Sequence, residues 1–242
     1  GSSTEALSFF NKMVANGVQP DAPTFTILMG AYLKGGKPEM VEGVFKKMEE
    51  HNAVPDVRVF SVLFKALGMA SDGAKVMTYL REMIHTWKVE PDTGIYSAVM
   101  GALELNGLTA DSEALFNASP QKDSSARATM EREQKKAGVA SPYLSFADQT
   151  KAGQLGLDLR GLYPVFAKVV IRSCLNSLDD ANHVSGRKVT FVVCSPGSMA
   201  DDAMRKHPDR GLVIELYNFL KGPMNMGTRL TVKNNKITAQ LQ

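Results

Sequence analysis

The stretch VPDVRVFSVLFKAL, residues 54–67, sets a Pro-Asp pair ahead of an amphipathic helix, and the chain says nearly the same thing twice more. QPDAPTFTILMGAY begins at Gln19 and EPDTGIYSAVMGAL begins at Glu90. Pro20 to Pro55 is 35 residues and Pro55 to Pro91 is 36, a period that marks a solenoid of stacked helical units. After each Pro-Asp the apolar positions repeat in one frame: Phe25, Leu28, Met29, Tyr32; Phe60, Leu63, Phe64, Leu67; Tyr96, Val99, Met100, Leu103. Spacing i, i+3, i+4, i+7 is one face of an α-helix.

Ahead of each Pro-Asp lies a second helix with the same spacing: Ala6, Phe9, Phe10, Met13; Val41, Val44, Phe45, Met48; Val76, Tyr79, Leu80, Met83. Each unit is therefore predicted to be a helical hairpin. Gly35-Gly36, Ser71-Asp72-Gly73 and Asn106-Gly107 stop one helix and permit a tight connection. A lone hairpin cannot bury its apolar stripe, so neighbours must stack.

Composition bounds the rest. With 44% apolar and 22% charged residues in 242, the chain has enough apolar material for one large core or two modest ones. No apolar run approaches the roughly 18–20 residues of a membrane helix, and GSSTEALSFF lacks the pattern of a signal peptide. Two cysteines, Cys174 and Cys194, are too few for a disulfide framework or a zinc site, and no pattern calls for a cofactor or a small-molecule substrate. The net charge of +3 is unevenly spread. Residues 1–117 carry 10 Lys/Arg against 14 Asp/Glu, residues 118–153 carry 6 against 4, and residues 154–242 carry 12 against 7.

A unit of about 35 residues running aromatic, small polar, apolar pair, Gly, EMVEGVFKKMEE, then Pro-Asp resembles a pentatricopeptide repeat. Residues 22–56 follow that pattern closely, residues 57–92 follow it with one inserted residue, and residues 1–21 resemble the second half of a unit. From Thr93 to about Ser119 the likeness fades, because the second helix offers Ser112, Leu115, Phe116 and Ser119. The Trp, Gly and Tyr pattern of tetratricopeptide repeats is not at the required places. The resemblance implies single-stranded RNA read one base per unit. The selecting pair would be a small polar residue one turn into the first helix and the last residue of the unit: Thr26 with Asp56, and Ser61 with Asp92. Ser97 would open a further pair, and Lys34 and Lys65 would face the RNA backbone. In the family a small hydroxyl residue with Asp resembles the guanine-selecting combination. Asp after Pro is equally a helix cap that needs no RNA. Two readouts of about 1–3 kcal/mol each fall well short of the roughly 12 kcal/mol of a nanomolar complex.

Residues 120–153 read as a linker with one polar helix near Ser125–Ala137. From Gln154 the period changes: a short strand in QLGLDLRGL, a helix in YPVFAKVVIRSCLNSLDDA, a β-branched strand in KVTFVVCS, a helix in RGLVIELYNFL and a hairpin about Asn234-Asn235. The predicted chain is thus an α-helical hairpin solenoid over 1–119, the linker, and a small βαβαββ sandwich over 154–242. That last stretch is similar to the small MutS-related domain, which accompanies pentatricopeptide repeats in organellar proteins. The family's Leu-Asp-x-His-Gly appears here as Leu157, Asp158, Arg160, Gly161, and its Thr-Gly-x-Gly-x-His keeps only Gly197, with Cys194, Ser195 and Met199 at the other places. Losing both histidines removes the proton acceptors that phosphodiester cleavage requires, so nuclease chemistry is not expected. Arg160 and the loop at Gly197, with Arg205 and Lys206 nearby in sequence, form a candidate phosphate-binding surface whose alternative is a solvated basic face. The expected function is non-catalytic RNA binding in an organelle, chloroplast or mitochondrion. Its rival is a protein-docking subunit of a larger assembly, and an endonuclease comes third.

Overall fold

The computed structural model describes residues 3–117, 126–136, 155–159, 162–179, 188–192, 210–222, 230–233 and 236–240. It divides into two compact units, Gly1–Ala126 and Arg127–Gln242.

The described elements of the first unit are all helices. Its elements are α1 (Ser3–Ala15), α2 (Ala22–Lys34), a short 3-10 turn (Pro38–Met40), α3 (Val41–Glu50), α4 (Val57–Met69), α5 (Gly73–His85), α6 (Thr93–Leu105) and α7 (Thr109–Asn117). The Pro-Asp pairs start the even-numbered helices because Asp satisfies backbone N–H groups that a first turn leaves without partners. Asp21 accepts from the Thr24 N–H at 2.9 Å, Asp56 from the Arg58 and Val59 N–H at 3.0 Å each, and Asp92 from the Ile95 N–H at 2.8 Å. Left-handed residues end helices on both sides of each hairpin: Gly36, Ser71 and Gly107 within it, Gly17, Asn52 and Lys88 between one hairpin and the next. The second set keeps the repeat's spacing although only Gly17 is a glycine.

Every residue of the three predicted stripes on α2, α4 and α6 is buried. The stripes interlock through rings: Phe45 of α3 lies 5.6 Å from both Phe60 of α4 and Tyr79 of α5, and Phe10 packs edge-on to Phe25 at 5.3 Å. On α1 the expectation holds only in part. Phe10 is buried, but Phe9 is 71% exposed, because no described helix lies over that side of α1 as α2 lies on α3. At the other end α7 buries Ser112 completely without giving its hydroxyl a partner, the structural counterpart of the fading repeat.

A polar clamp ties successive second helices. Glu42 of α3 receives Lys75 of α5 at 2.7 Å, the Tyr79 hydroxyl at 3.0 Å and Lys46 of its own helix at 3.1 Å. Burial raises the Glu42 carboxyl, yet these three donors outweigh it and bring its pKa down to about 2.

The second unit opens with α8 (Ala126–Lys136), whose first residue belongs to the other unit. Then come β1 (Leu155–Asp158), α9 (Pro164–Asp179), β2 (Lys188–Val192), α10 (Arg210–Lys221), β3 (Leu230–Lys233) and β4 (Lys236–Gln240). The sheet order is β1-β2-β4-β3. β1 pairs parallel with β2, which requires a crossover connection, and α9 lies in it. β4 is antiparallel to both β2 and β3, with buried Phe191 and Ile237 facing one another in register. α9 and α10 pack together, joined by the Lys168–Glu215 ion pair, and contribute Phe166, Val170, Leu216 and Leu220 to the core.

Candidate nucleic-acid interface

α2, α4 and α6 form a row, α2 against α4 and α4 against α6. The helical frame decides what this row displays. In each helix the aromatic that starts the stripe is buried, and the next residue, Thr26, Ser61 or Ser97, is half-buried. The Thr26 hydroxyl donates to the Ala22 carbonyl at 2.8 Å, which leaves its lone pairs for an external donor.

Between α4 and α6 runs a groove of about 440 Å³, lined by Ser61, Lys65, Gly68 and Met69 on one side and Gly94, Ser97, Ala98, Gly101, Ala102 and Leu105 on the other. The structure therefore brings Ser61 and Ser97 together, with the exposed cation of Lys65 beside them. Small residues make the crossing tight: a Cβ on Gly68 would stand 2.9 Å from the Ala102 Cα. Asn106 bridges the two helices, its side-chain amide donating to the Ala102 carbonyl at 2.7 Å and the Gly68 carbonyl at 3.2 Å. Thr26 and Lys34 line a different groove, on the α1 side of α2. Lys34 and Lys65 also differ in frame, nine and five residues after their aromatics, so they do not form one cationic track.

The aspartates do the cap's work. In Asp56 both oxygens are engaged: one takes the Arg58 and Val59 N–H groups, the other takes the Arg58 guanidinium at 2.8 and 3.0 Å. Burial raises this carboxyl, and those bonds more than reverse it, so it stays ionised below the ordinary range. Asp92 is exposed and caps α6 through Ile95 alone among the bonds described. Neither Asp56 nor Asp92 lines the α4/α6 groove. Arg58 was not singled out by the sequence reading. Its only signal is a basic residue two after a capping Asp, a spacing within side-chain reach.

Arg160, Gly197, Arg205 and Lys206 lie outside the described residues, as does the SPGS loop. Among the described residues no group of three His, Cys, Asp or Glu side chains converges as a metal site, and no helix is long and apolar enough to cross a membrane.

Residues 8–70 match the family model described as the pentatricopeptide repeat domain. Similar curated proteins are pentatricopeptide repeat-containing proteins of Arabidopsis thaliana. One is 32% identical over 125 residues, covering 50% of this chain and 24% of the relative, and a mitochondrial one is 33% identical over 99 residues, covering 41% and 12%. A chloroplastic one is 24% identical over 108 residues, covering 44% and 16%. The chain thus spans a quarter or less of these relatives' length. Among solved structures, the pentatricopeptide repeat domain of Arabidopsis thaliana protein-only RNase P 1 in complex with tRNA aligns with 61% of this chain and 69% of its own, at 17% identity and a TM-score of 0.42. The pentatricopeptide repeat protein PPR10 in complex with an 18-nt psaJ RNA element aligns with 92% of this chain and 38% of its own, at 13% identity and 0.44. The matched residues 8–70 run from within α1 to the end of α4.

Proposed function

We propose that the chain is a non-catalytic RNA-binding factor of organellar gene expression that contacts single-stranded RNA along the α2, α4, α6 row. The observation that carries this reading is the recurrence of a half-buried hydroxyl at one frame position, Thr26, Ser61 and Ser97, with Ser61, Ser97 and Lys65 sharing one groove. Hydroxyls and a cation at the edge of a slot lined by small residues suit a base inserted edge-on with its phosphate outside. Asp56 and Asp92 bring carboxylate acceptors to the N-terminal ends of α4 and α6, an acceptor chemistry that suits guanine's ring and amino donors. The family resemblance supports the same pairs, and the mitochondrial and chloroplastic relatives support an organelle.

The C-terminal unit joins this reading as a small MutS-related type of domain without cleavage chemistry. Its supports are the order of the described elements from Leu155 to Gln240 and the surviving Leu157, Asp158 and Gly161. Arg160, Arg205 and Lys206 supply phosphate contacts in this reading. Arg160 and Met199 replace the family's histidines, and no cofactor is required.

A second reading, a protein-docking subunit, is favoured by the fully engaged Asp56 and by the acidic balance of residues 1–117. RNA retention by the full chain across a salt series separates the two. Asp56→Asn keeps a competent cap but turns an acceptor into a donor-acceptor amide, so a reader shifts its preference from guanine toward adenine. Arg160→Ala with Arg205→Ala weakens binding to all sequences and flattens the salt slope. Absence of binding at low salt rejects RNA reading and leaves the docking role.

A further inference from the structure

We infer that Arg58 masks Asp56, so that the pair Ser61 with Asp92 discriminates guanine more strongly than the pair Thr26 with Asp56. The inference rests on the RNA reading above and distributes that reading's selectivity unequally along the row.

The acceptors separate the two carboxylates. An ionised carboxylate offers about four lone-pair directions, two on each oxygen. In Asp56 the described donors account for all of them. Oδ1 accepts from the Arg58 and Val59 N–H groups at 3.0 Å each, and Oδ2 accepts from Arg58 Nε at 3.0 Å and Nη2 at 2.8 Å. A guanine brought to this carboxylate must displace the guanidinium before its own ring and amino N–H groups can bond there. In Asp92, which is exposed, the described bonds use Oδ1 alone, through the Ile95 N–H.

One residue per unit makes the difference. Two places after the capping Asp stand Pro23 in α2, Arg58 in α4 and Gly94 in α6. Proline brings no donor to that place, and glycine brings no side chain at all. A Cβ at Gly94 would already stand 3.2 Å from Asp92 Oδ1, so the glycine keeps that carboxylate open. Arg58 also stands on the reading side of its helix: it precedes Ser61 by three residues and Lys65 by seven, and those two line the α4/α6 groove. The Arg58–Asp56 pair is itself exposed, 70% for the Arg58 side chain and 37% for Asp56, so it competes with a base without forbidding one. Guanine preference at this unit is therefore lowered about two- to fivefold and not abolished.

The test is the ratio of the full chain's affinities for two RNAs, an oligouridine with one central guanosine and the same oligouridine with uridine in its place. Both carry the same phosphates, so any phosphate contact of Arg58 cancels in the ratio. In an Asp92→Asn background the ratio reports Asp56, and adding Arg58→Ala is expected to raise it about two- to fivefold. In an Asp56→Asn background the ratio reports Asp92, and adding Arg58→Ala is expected to leave it where it was. Arg58→Met keeps a long stem without the donors and is expected to act as Arg58→Ala does. Both variants should retain their helical circular dichroism, because the side chain is exposed and the cap bonds to Asp56 come from backbone N–H groups. A chain that binds RNA with a ratio that Arg58→Ala does not move in the Asp92→Asn background overturns this inference alone. So does an equal rise in the Asp56→Asn background, since the effect would then not pass through Asp56. A wild-type chain that binds neither RNA at low salt overturns the RNA reading, and this inference with it.

Discussion

Two faces of the same repeat behave in opposite ways. Where α4 meets α6, backbone approaches backbone at Gly68 and Ala102, and Phe60 and Phe64 are wholly buried. On α1 and α2, Phe9 and Ile27 stand mostly in water, whereas their frame counterparts Val44 and Tyr79 are buried and Val62 and Ala98 half-buried. The sequence phrase is nearly identical, so the difference lies in the neighbour. In a solenoid the apolar stripe of a helix states a capacity for burial, and the adjacent unit realises it.

The comparison breaks first at its buried end. Phe60→Ala, which empties a site held between Phe45 and Phe64, should cost about 3–5 kcal/mol in a denaturant titration followed by circular dichroism. Gly68→Val forces α4 from α6 and should cost about 1–3 kcal/mol in the same titration, whereas Gly43→Ala, in α3 with open space around it, should gain about 0.5–1 kcal/mol.

The clamp on Glu42 gives a pH signature. Its folded pKa of about 2 is depressed from 4.5, so its contribution is complete above the ordinary value and disappears as pH falls through the window from 4.5 to 2. Glu42→Gln should therefore lose about 1–2 kcal/mol at neutral pH, allowing for partial solvent screening, and the two stability curves should converge on acidification. At the cap, Asp56→Ala should cost about 1 kcal/mol in thermal melts and Asp56→Asn much less, because Asn caps as well as Asp. Phe9→Ala closes the series with a change within about 0.5 kcal/mol; a loss like that of Phe60 would mean that the α1/α2 face is covered in solution.

Much of the repeat was legible because its physics is local. A helical frame needs only residues three and four apart, and a cap needs an Asp within three residues of the N–H it satisfies, so the three stripes and the caps at Asp21, Asp56 and Asp92 follow from spacing. Thr26, Ser61 and Ser97 were likewise readable as one frame position. What the sequence could not say is which of them share a groove, since α4 and α6 are brought together by packing across some 36 residues. The left-handed turns at Asn52 and Lys88 were hidden for a related reason: a non-glycine enters that region when the surrounding hairpins hold it there.

The sequence by itself determined that the N-terminal part is a stack of helical hairpins with a 35-residue period, and which side of each helix can be apolar. Only the tertiary structure decided that Phe9 stays exposed while Val44 and Tyr79 are buried, that Glu42 reaches Lys75 and Tyr79 in the next unit, and that Arg58 occupies Asp56. Burial and ion pairing depend on what lies across a contact, and a periodic sequence writes the same stripe whether or not a neighbour is there to cover it.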